Sequence, residues 1–563
     1  MLREEGKQYS FHSMLYNKIP EDHLLKVIDR AVDFSFINEM VAGSYCREFG
    51  RPAKEPELMA KLLFLEHIYD LSDEKVIKRG NFDLSFLWFL GLNPEEELPD
   101  PSLLAKFRTQ RLQEATLDDI LTEIIRQCVE KGIIKGKSLS VDTTHILANS
   151  TKKVPERVMK HLAKKIFKGL KDDIGFVPEE IPVDLPDYKE IEDHQESKET
   201  MKTALETVME AAEPYAGEKT EAAIAEAKEI LSDEKFLLQK GVRSLSDKDA
   251  RVGSKSKTDQ FFGYKAEFTM TTDERLITAI DVHSGEYVDG KEFSSLLERT
   301  QESGVQAEEL LGDKAYFRKD ILEELDAKKI KGYIPVSASV YKIDEELFAY
   351  NKDSDQWFCF MGNGTVSCKK KTQKDRHGEP YELYTYLFKK EQCKDCPHRD
   401  RCIGSKGGKK AARKLTVTAS APLFYEKSQE QKTPEFREKY KKRAAQEWKN
   451  GEMKRFHGMN RARGWGKRSV SFQAKFTAIA VNLKRIAALW RDMELAEAKA
   501  ALKPKSFPQA APPDGCRGFT APICQKYREN TIFFAPIFSL FSAVSAYNGD
   551  FFSGFGRFSV LHT

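Results

Sequence analysis

The chain has 563 residues and a mass of 64.3 kDa, which at roughly 100–200 residues per domain predicts three to five structural units. Hydrophobic residues make up 40% and charged residues 32%, a globular composition that excludes a disordered or collagen-like chain. Lys and Arg number 91 against 88 Asp and Glu, so the total charge argues for no polyanion partner, and local clustering must carry any such case.

The N-terminal MLREEGKQYSFHSM has no apolar core, so no secretory signal is expected. Residues 1–135 read as a helical domain. In PELMAKLLFLEHIYDLSD, Leu58, Leu62, Leu65 and Tyr69 recur at spacings of four, three and four, which predicts one buried helix face. PDPSLLAKFRTQRL predicts a further helix, capped by Asp100 or Ser102 with Pro101 fixing its entry. Arg108 and Arg111 lie three apart on it, placed either to meet phosphates or to form a solvated face.

At KSLSVDTTHILA the period becomes two, predicting a first core strand within 136–151. Leu139 and Val141 point one way, and Ser140 and Asp142 the other. Residues 152–243 are charged and helix-favouring, a helical insertion without visible chemistry. QFFGYKAEFTMT and RLITAIDVH predict two strands joined through Thr272-Asp273. The helix GKEFSSLLERTQE, a short strand ending on Asp313, another helix and the strand KGYIPV complete a mixed α/β layer over 244–339. Residues 340–428 form a basic, cysteine-bearing insertion and 429–495 a pair of C-terminal helices. In the second of these, Phe472, Phe476, Ile479, Leu483 and Ile486 alternate spacings of four and three, the mark of a core-packed face. Residues 496–563 read as a poorly ordered aromatic and Pro-rich tail. Its apolar run from Ile532 to Tyr547 contains Pro536 and falls short of the ~20 residues a membrane span needs.

Three carboxylates stand where an α/β layer exposes its ligand crevice: Asp142 and Asp313 at strand ends and Glu447 mid-helix. Like charges held close either take up a proton or bind a cation, and hard oxygen ligands suit Mg²⁺ or Mn²⁺. The competing reading of each is a solvated acid. Around Glu447 the charge is lopsided, with thirteen Lys/Arg against four Glu between 431 and 470, a net of +9. That is the electrostatic footprint of a polyanion site. Tyr440, Trp448, Phe456 and Trp465 offer ring faces for unpaired bases, unless some pack on the core, Trp448 or Phe456 foremost.

Five of the nine cysteines fall between Cys359 and Cys402, which in a chain without a signal favours metal or free thiols over disulfides. Cys393, Cys396 and Cys402 have the tight spacing of a tetrahedral site, with Cys359 the best fourth ligand and Cys368 or His398 substitutes. Structural zinc and reduced thiols both remain open.

Tyr440, Arg443, Glu447 and Lys454 follow Y-x2-R-x3-E-x6-K. This resembles the signature of a large group of bacterial insertion-sequence transposases. LSVDTTHI and LLGDKAYF resemble the segments carrying that group's first two catalytic aspartates. MKRFHGMNRARGWG with AVNLKRIA resembles its C-terminal continuation, and FLWFLGL with PDPSLLAKFR the N-terminal helical domain of IS-four- and IS-five-like members. Together these cover most of residues 40–490.

The resemblance implies an RNase H-like catalytic core with Asp142, Asp313 and Glu447 as a metal-binding DDE triad. Glu452, five residues on and about 500° round the helix, faces elsewhere and does not satisfy the signature. Tyr440, Arg443 and Lys454 are expected to contact DNA, together with Arg455, His457, Arg461 and Arg463 and with Arg108 and Arg111. The implied partners are double-stranded element ends and target DNA, bound by a homo-oligomer, with no membrane. The expected place is the bacterial cytoplasm, at the nucleoid. A nonspecific nuclease, or a DNA-binding protein derived from an inactive transposase, is the competing class.

Overall fold

Ten consecutive residues, Ser138–Leu147, form the strand (β1) around which the mixed sheet is organised. The computed structural model describes residues 10–501, except 47–52, 234, 238–240, 256–257, 375–377, 379 and 404–411. The apolar run expected at 532–547 lies outside the described residues, as does most of the tail that contains it.

Four further strands flank β1, and a fifth joins them at the edge. These are β2 (Arg251–Ser254), β3 (Gln260–Thr271), β4 (Ile277–Ser284), β5 (Glu309–Leu311) and β6 (Lys331–Tyr333). β1 pairs antiparallel with β3, from Leu139 opposite Thr271 to Leu147 opposite Gly263. On its other edge it pairs parallel with β5, from Ser138 opposite Glu309 to Ser140 opposite Leu311. β2 and β4 share the far edge of β3, and β6 runs parallel beside β5. The result is a mixed α/β layer, with helices Phe293–Glu302 and Lys319–Ala327 in the β4–β5 and β5–β6 connections.

Alternation in β1 predicted one buried face, but both are covered. Ser140 and Asp142 are buried along with Leu139 and Val141, because helix Ala444–Phe456 lies over their side. Gly263 fixes the end of this ladder. A Cβ there would stand 2.1 Å from the Ile146 carbonyl oxygen. Gly263→Ala should therefore cost about 1–3 kcal/mol through overpacking, read as a lower urea midpoint at unchanged m-value. An unchanged midpoint would mean that the ladder yields freely.

The N-terminal part is helical from Phe11–Lys18 to Glu114–Glu130. Helix Pro56–Ile68 departs from the one-faced expectation, since all its residues but Glu57 are buried. Its charged members survive burial by pairing: Lys61 meets Asp29 at 3.1 Å and Glu57 at 2.9 Å, and Glu66 meets Arg108 at 2.9 Å.

Helices Pro155–Ile174, His194–Ala212 and Glu218–Ser232 pack on one another around their own core, including Met159, Leu162, Met201 and Leu205. The cysteine-bearing segment, which showed no helical period, is built of strands. Phe348–Asn351 pairs with Gln356–Cys359, and Pro380–Leu387 is flanked by Ser367–Lys374 and Lys414–Thr418, over a small core centred on Trp357. Helix Lys467–Ala501 closes the described chain, and Phe472, Phe476, Ile479, Leu483 and Ile486 are all buried. Among the described residues no helix is long and apolar enough to cross a membrane.

Candidate active site

The parallel register places two carboxylates side by side. Ser140 pairs with Leu311, so Asp142 and Asp313 each stand two residues further along neighbouring segments. Asp313 lies just past the carboxyl end of β5, where open sheets bind ligands, whereas Asp142, expected at a strand end, is the fifth of the ten residues of β1. Gly312 lets the chains approach here, with its Cβ direction only 3.4 Å from a Val141 methyl. Asp313 then caps the following turn, its Oδ1 accepting the Ala315 N–H at 2.8 Å.

Helix Ala444–Phe456 supplies the third wall through residues spaced at one helical turn. Ser140 Oγ donates to Gln446 Oε1 at 2.6 Å, Asn450 Nδ2 to Asp142 Oδ2 at 3.1 Å, and Lys454 Nζ to His145 Nδ1 at 3.2 Å. Just ahead of that stripe, Arg443 reaches Asp142 Oδ1 at 3.3 Å and Glu447 Oε1 at 3.5 Å, so one guanidinium spans both acids. Glu447 is exposed, whereas Glu452 is held against the buried Lys449 at 2.8 Å. The loop after the helix is tied back to β1: Leu147 N–H donates to the Asn460 carbonyl at 3.1 Å and Ala462 N–H to the Leu147 carbonyl at 2.8 Å.

Burial dominates the electrostatics. It pushes the Asp142 carboxyl up to about 6, against the pull of Arg443 and with the added push of Asp313 and Glu447. Burial opposes the Arg443 charge too, yet Asp142, Tyr440, Asp313 and Glu447 together hold it above the usual guanidinium range. Desolvation, reinforced by Lys255, lowers Lys454 to about 8, and desolvation with Lys454 beside it lowers His145 to about 4. His145 is thus a neutral acceptor for the lysine amine, its ring lying 5.1 Å from that of Phe261.

Around Asp142 the buried atoms Asn450 Oδ1, Arg443 Nε and Gln446 Nε2 have no hydrogen-bond partner. Of these only Asn450 Oδ1 has a lone pair to offer a cation, and an amide oxygen beside carboxylates is the donor type that suits a hard, water-carrying divalent ion. As the side chains stand, however, no three His, Cys, Asp or Glu among the described residues are grouped to hold a metal.

The expected DNA contacts divide into two sets. Arg455 and Arg461 are exposed beside the site, Lys454 is half-buried, and Tyr440 is half-buried with its ring stacked 5.8 Å from Phe436. Trp448 and Phe456, which a core role would bury, are 73% and 65% exposed, and Trp465 is 58% exposed. The remaining residues are engaged within the protein. His457 is fully buried, with Nδ1 2.8 Å from the His67 carbonyl oxygen, so it is withdrawn as a DNA contact. Arg108 pairs with Glu66 and Asp73, and Arg463 with Glu66 at 2.9 Å and Asp70 at 2.6 Å. Both line a cavity of about 980 Å³ that none of the three site carboxylates lines. Arg111 sits 4.5 Å over the Tyr45 ring and donates to the Ser44 carbonyl.

Sequence reasoning missed Gln446, Asn450 and His145. The first two were available from helical spacing, since 446, 450 and 454 lie on one stripe. His145 gave no signal, because its role depends on which helix crosses β1.

Residues 13–110 match the family model "Transposase domain (DUF772)" and residues 358–487 match "Transposase DDE domain". The second match contains Glu447, while Asp142 and Asp313 lie outside both. An uncharacterized protein, ORF8 in the nfe locus of Rhizobium meliloti, is 33% identical over 144 residues, which is 25% of this chain and 69% of that protein. Among solved structures, a piggyBac transposase synaptic complex with hairpin DNA aligns over 88% of this chain and 84% of its own. Its identity is 11% and its TM-score 0.26, values from which no shared fold follows.

Proposed function

The chain belongs to the DDE-type transposases, and on that premise we propose that Asp142, Asp313 and Glu447 are its catalytic carboxylates, acting at the terminal inverted repeats of an insertion sequence. The observation that carries this reading is Arg443 laid across Asp142 and Glu447 beside the strand end that bears Asp313. Apart from the short edge strand β2, three antiparallel strands (β1, β3, β4), then two parallel ones (β5, β6), then a helix with the glutamate is the element order of an RNase H-like core, which supports the same assignment.

A DDE domain implies a divalent metal, and Asp142, Asp313 and Glu447 are the residues that would hold it here. When bound, such an ion supplies Lewis acidity toward phosphodiester oxygens. The protein's own groups have separable tasks. Arg443 favours the ionised form of Asp142, and Asn450 fixes that residue's second oxygen. Lys454, Arg455 and Arg461 engage phosphates by charge-assisted hydrogen bonds, and Trp448 and Phe456 offer faces on which unpaired bases stack.

In the reaction, water adds to phosphorus at the element's end, the bond to the 3′ oxygen breaks, and a 3′-hydroxyl is released. That hydroxyl then attacks a target phosphorus, a new O–P bond forming as the target strand's own P–O3′ bond breaks and its 3′ oxygen leaves as a hydroxyl. This completes cut-and-paste transfer by subunits assembled on DNA, in the cytoplasm at the nucleoid.

The test is to supply the protein with Mg²⁺ and DNA carrying the inverted repeats that flank its gene. Cutting at the repeat ends, leaving 3′-hydroxyls, is expected. Cutting without regard to ends would instead make it a nuclease, and binding without cutting a binding protein. Arg455→Ala and Arg461→Ala should each flatten the dependence of log affinity on log salt by about one. An unchanged slope removes that residue from the phosphate contacts.

A further inference from the structure

The cysteine-bearing segment holds a second site, unrelated to the carboxylates. Cys359 ends strand Gln356–Cys359, Cys393 lies in helix Lys390–Lys394, Cys396 follows it, and Cys402 lies in helix Arg399–Ile403. More than thirty residues separate the first from the other three, yet all four line one cavity of about 30 Å³. That volume accommodates a water or an ion and no organic ligand.

None of the four is in a disulfide, and all are half-buried. Two guanidiniums pin the backbone on which they sit: Arg399 Nη1 donates to the Cys393 carbonyl at 2.7 Å and Arg413 Nη1 to the Cys402 carbonyl at 2.7 Å. The fourth corner, open between three residues in the sequence, is resolved by placement. Cys368 lies on the exposed strand Ser367–Lys374, His398 is exposed with its ring against Phe360, and neither lines the cavity.

We propose that Cys359, Cys393, Cys396 and Cys402 bind a soft, tetrahedral divalent ion, Zn²⁺, as a structural site. The donor set is right in type and number: four thiolates close the coordination sphere and leave no open position for catalysis. The thiols are near enough to feel one another. All four share the lining of that one small cavity. A central dication binds such side chains as thiolates, and its binding energy is then folding energy of the segment that carries them. In the present positions they do not form a metal-holding group, so binding an ion requires the side chains to draw closer together.

The ion would lock the loops beneath the three-stranded sheet, whose edge strand Ser367–Lys374 presents Lys369, Lys370, Lys371 and Lys374 to solvent. The site is therefore a clamp on a basic face.

The experiment uses the full chain, reduced, loaded with Zn²⁺ and desalted, and it reads bound metal, so its outcome is independent of whether the protein cuts DNA. About one zinc per chain is expected. Co²⁺ in its place should give thiolate-to-cobalt charge-transfer absorption and the intense d–d bands of a tetrahedral ion. Cys393→Ser and Cys402→Ser should weaken Co²⁺ binding by at least ~10-fold, and Cys368→Ser should leave it unchanged. Cys402→His, which keeps a ligand and guards against simple misfolding, should retain the metal with a weaker charge-transfer band. Zinc far below one per chain, a cobalt spectrum indifferent to these changes, or a Cys393–Cys396 disulfide in the native protein by thiol titration would each overturn the proposal.

Discussion

Asp142→Asn is expected to slow cutting at element ends by about 10²–10³-fold or more while leaving DNA binding intact, and to make the metal-free protein more stable at neutral pH. The second half follows from burial. The Asp142 carboxyl titrates at about 6 in the fold against an ordinary 3.8. The folded state thus holds the proton more tightly than the unfolded state, and stability is fully present below the unfolded value and is lost as pH rises through about 6. Above that, the ionised group costs up to about 3 kcal/mol, at 1.36 kcal/mol per unit. Asparagine keeps the shape without the charge. The variant should melt higher than the parent at about pH 7, melt like it near pH 4, and gain less from added Mg²⁺. Normal cutting removes Asp142 from the mechanism. A lower melting point at neutral pH would mean that its pairing with Arg443 outweighs its desolvation. The combination of inactive and more stable is the signature of a carboxylate kept buried for function.

Much of this site could be read along the chain, because its chemistry is local in sequence. Tyr440, Arg443, Glu447 and Lys454 share one helical segment, and the strands bearing Asp142 and Asp313 announce themselves by period and by apolar content. What could not be read was which side chains face each other across elements. His457 follows a run of basic residues and looks like part of it, but the helix has ended by then and the ring turns into the core against His67. Arg108 and Arg463, some 350 residues apart, converge on the same Glu66, a pairing that only the tertiary fold creates. The alternation of β1 suggested an open polar face for the same reason, since nothing in ten residues reveals the helix that covers it. For Trp448 and Phe456 the sequence left two places open, since a large ring usually finds the core, and here both stay in water.

Arg443→Ala should move the acid limb of the pH–rate profile for cutting toward higher pH. Asp142 is faced by two acids, Asp313 following β5 and Glu447 from the helix, and by two cations, the Lys454 amine and the Arg443 guanidinium, of which Arg443 contacts it directly and also touches Glu447. Removing the guanidinium takes away the largest influence opposing burial and repulsion, so the carboxyl rises further above 6. An adjacent opposite charge typically lowers an acid by about 1–3 units, which sets the scale of the displacement. A smaller fraction of the enzyme then carries an ionised Asp142 at neutral pH, and the rate there falls by about tenfold for each unit lost. Raising the pH should restore the rate, which it would not do for Asp142→Asn. Arg443→Lys is expected to recover only part of the loss, because a point charge on a flexible stem reaches one carboxylate at a time, whereas the planar guanidinium spans two. If the rate drops equally at every pH and the limb stays in place, the guanidinium serves the substrate phosphate and not the carboxylates, and its contact with Asp142 is a resting arrangement that DNA displaces.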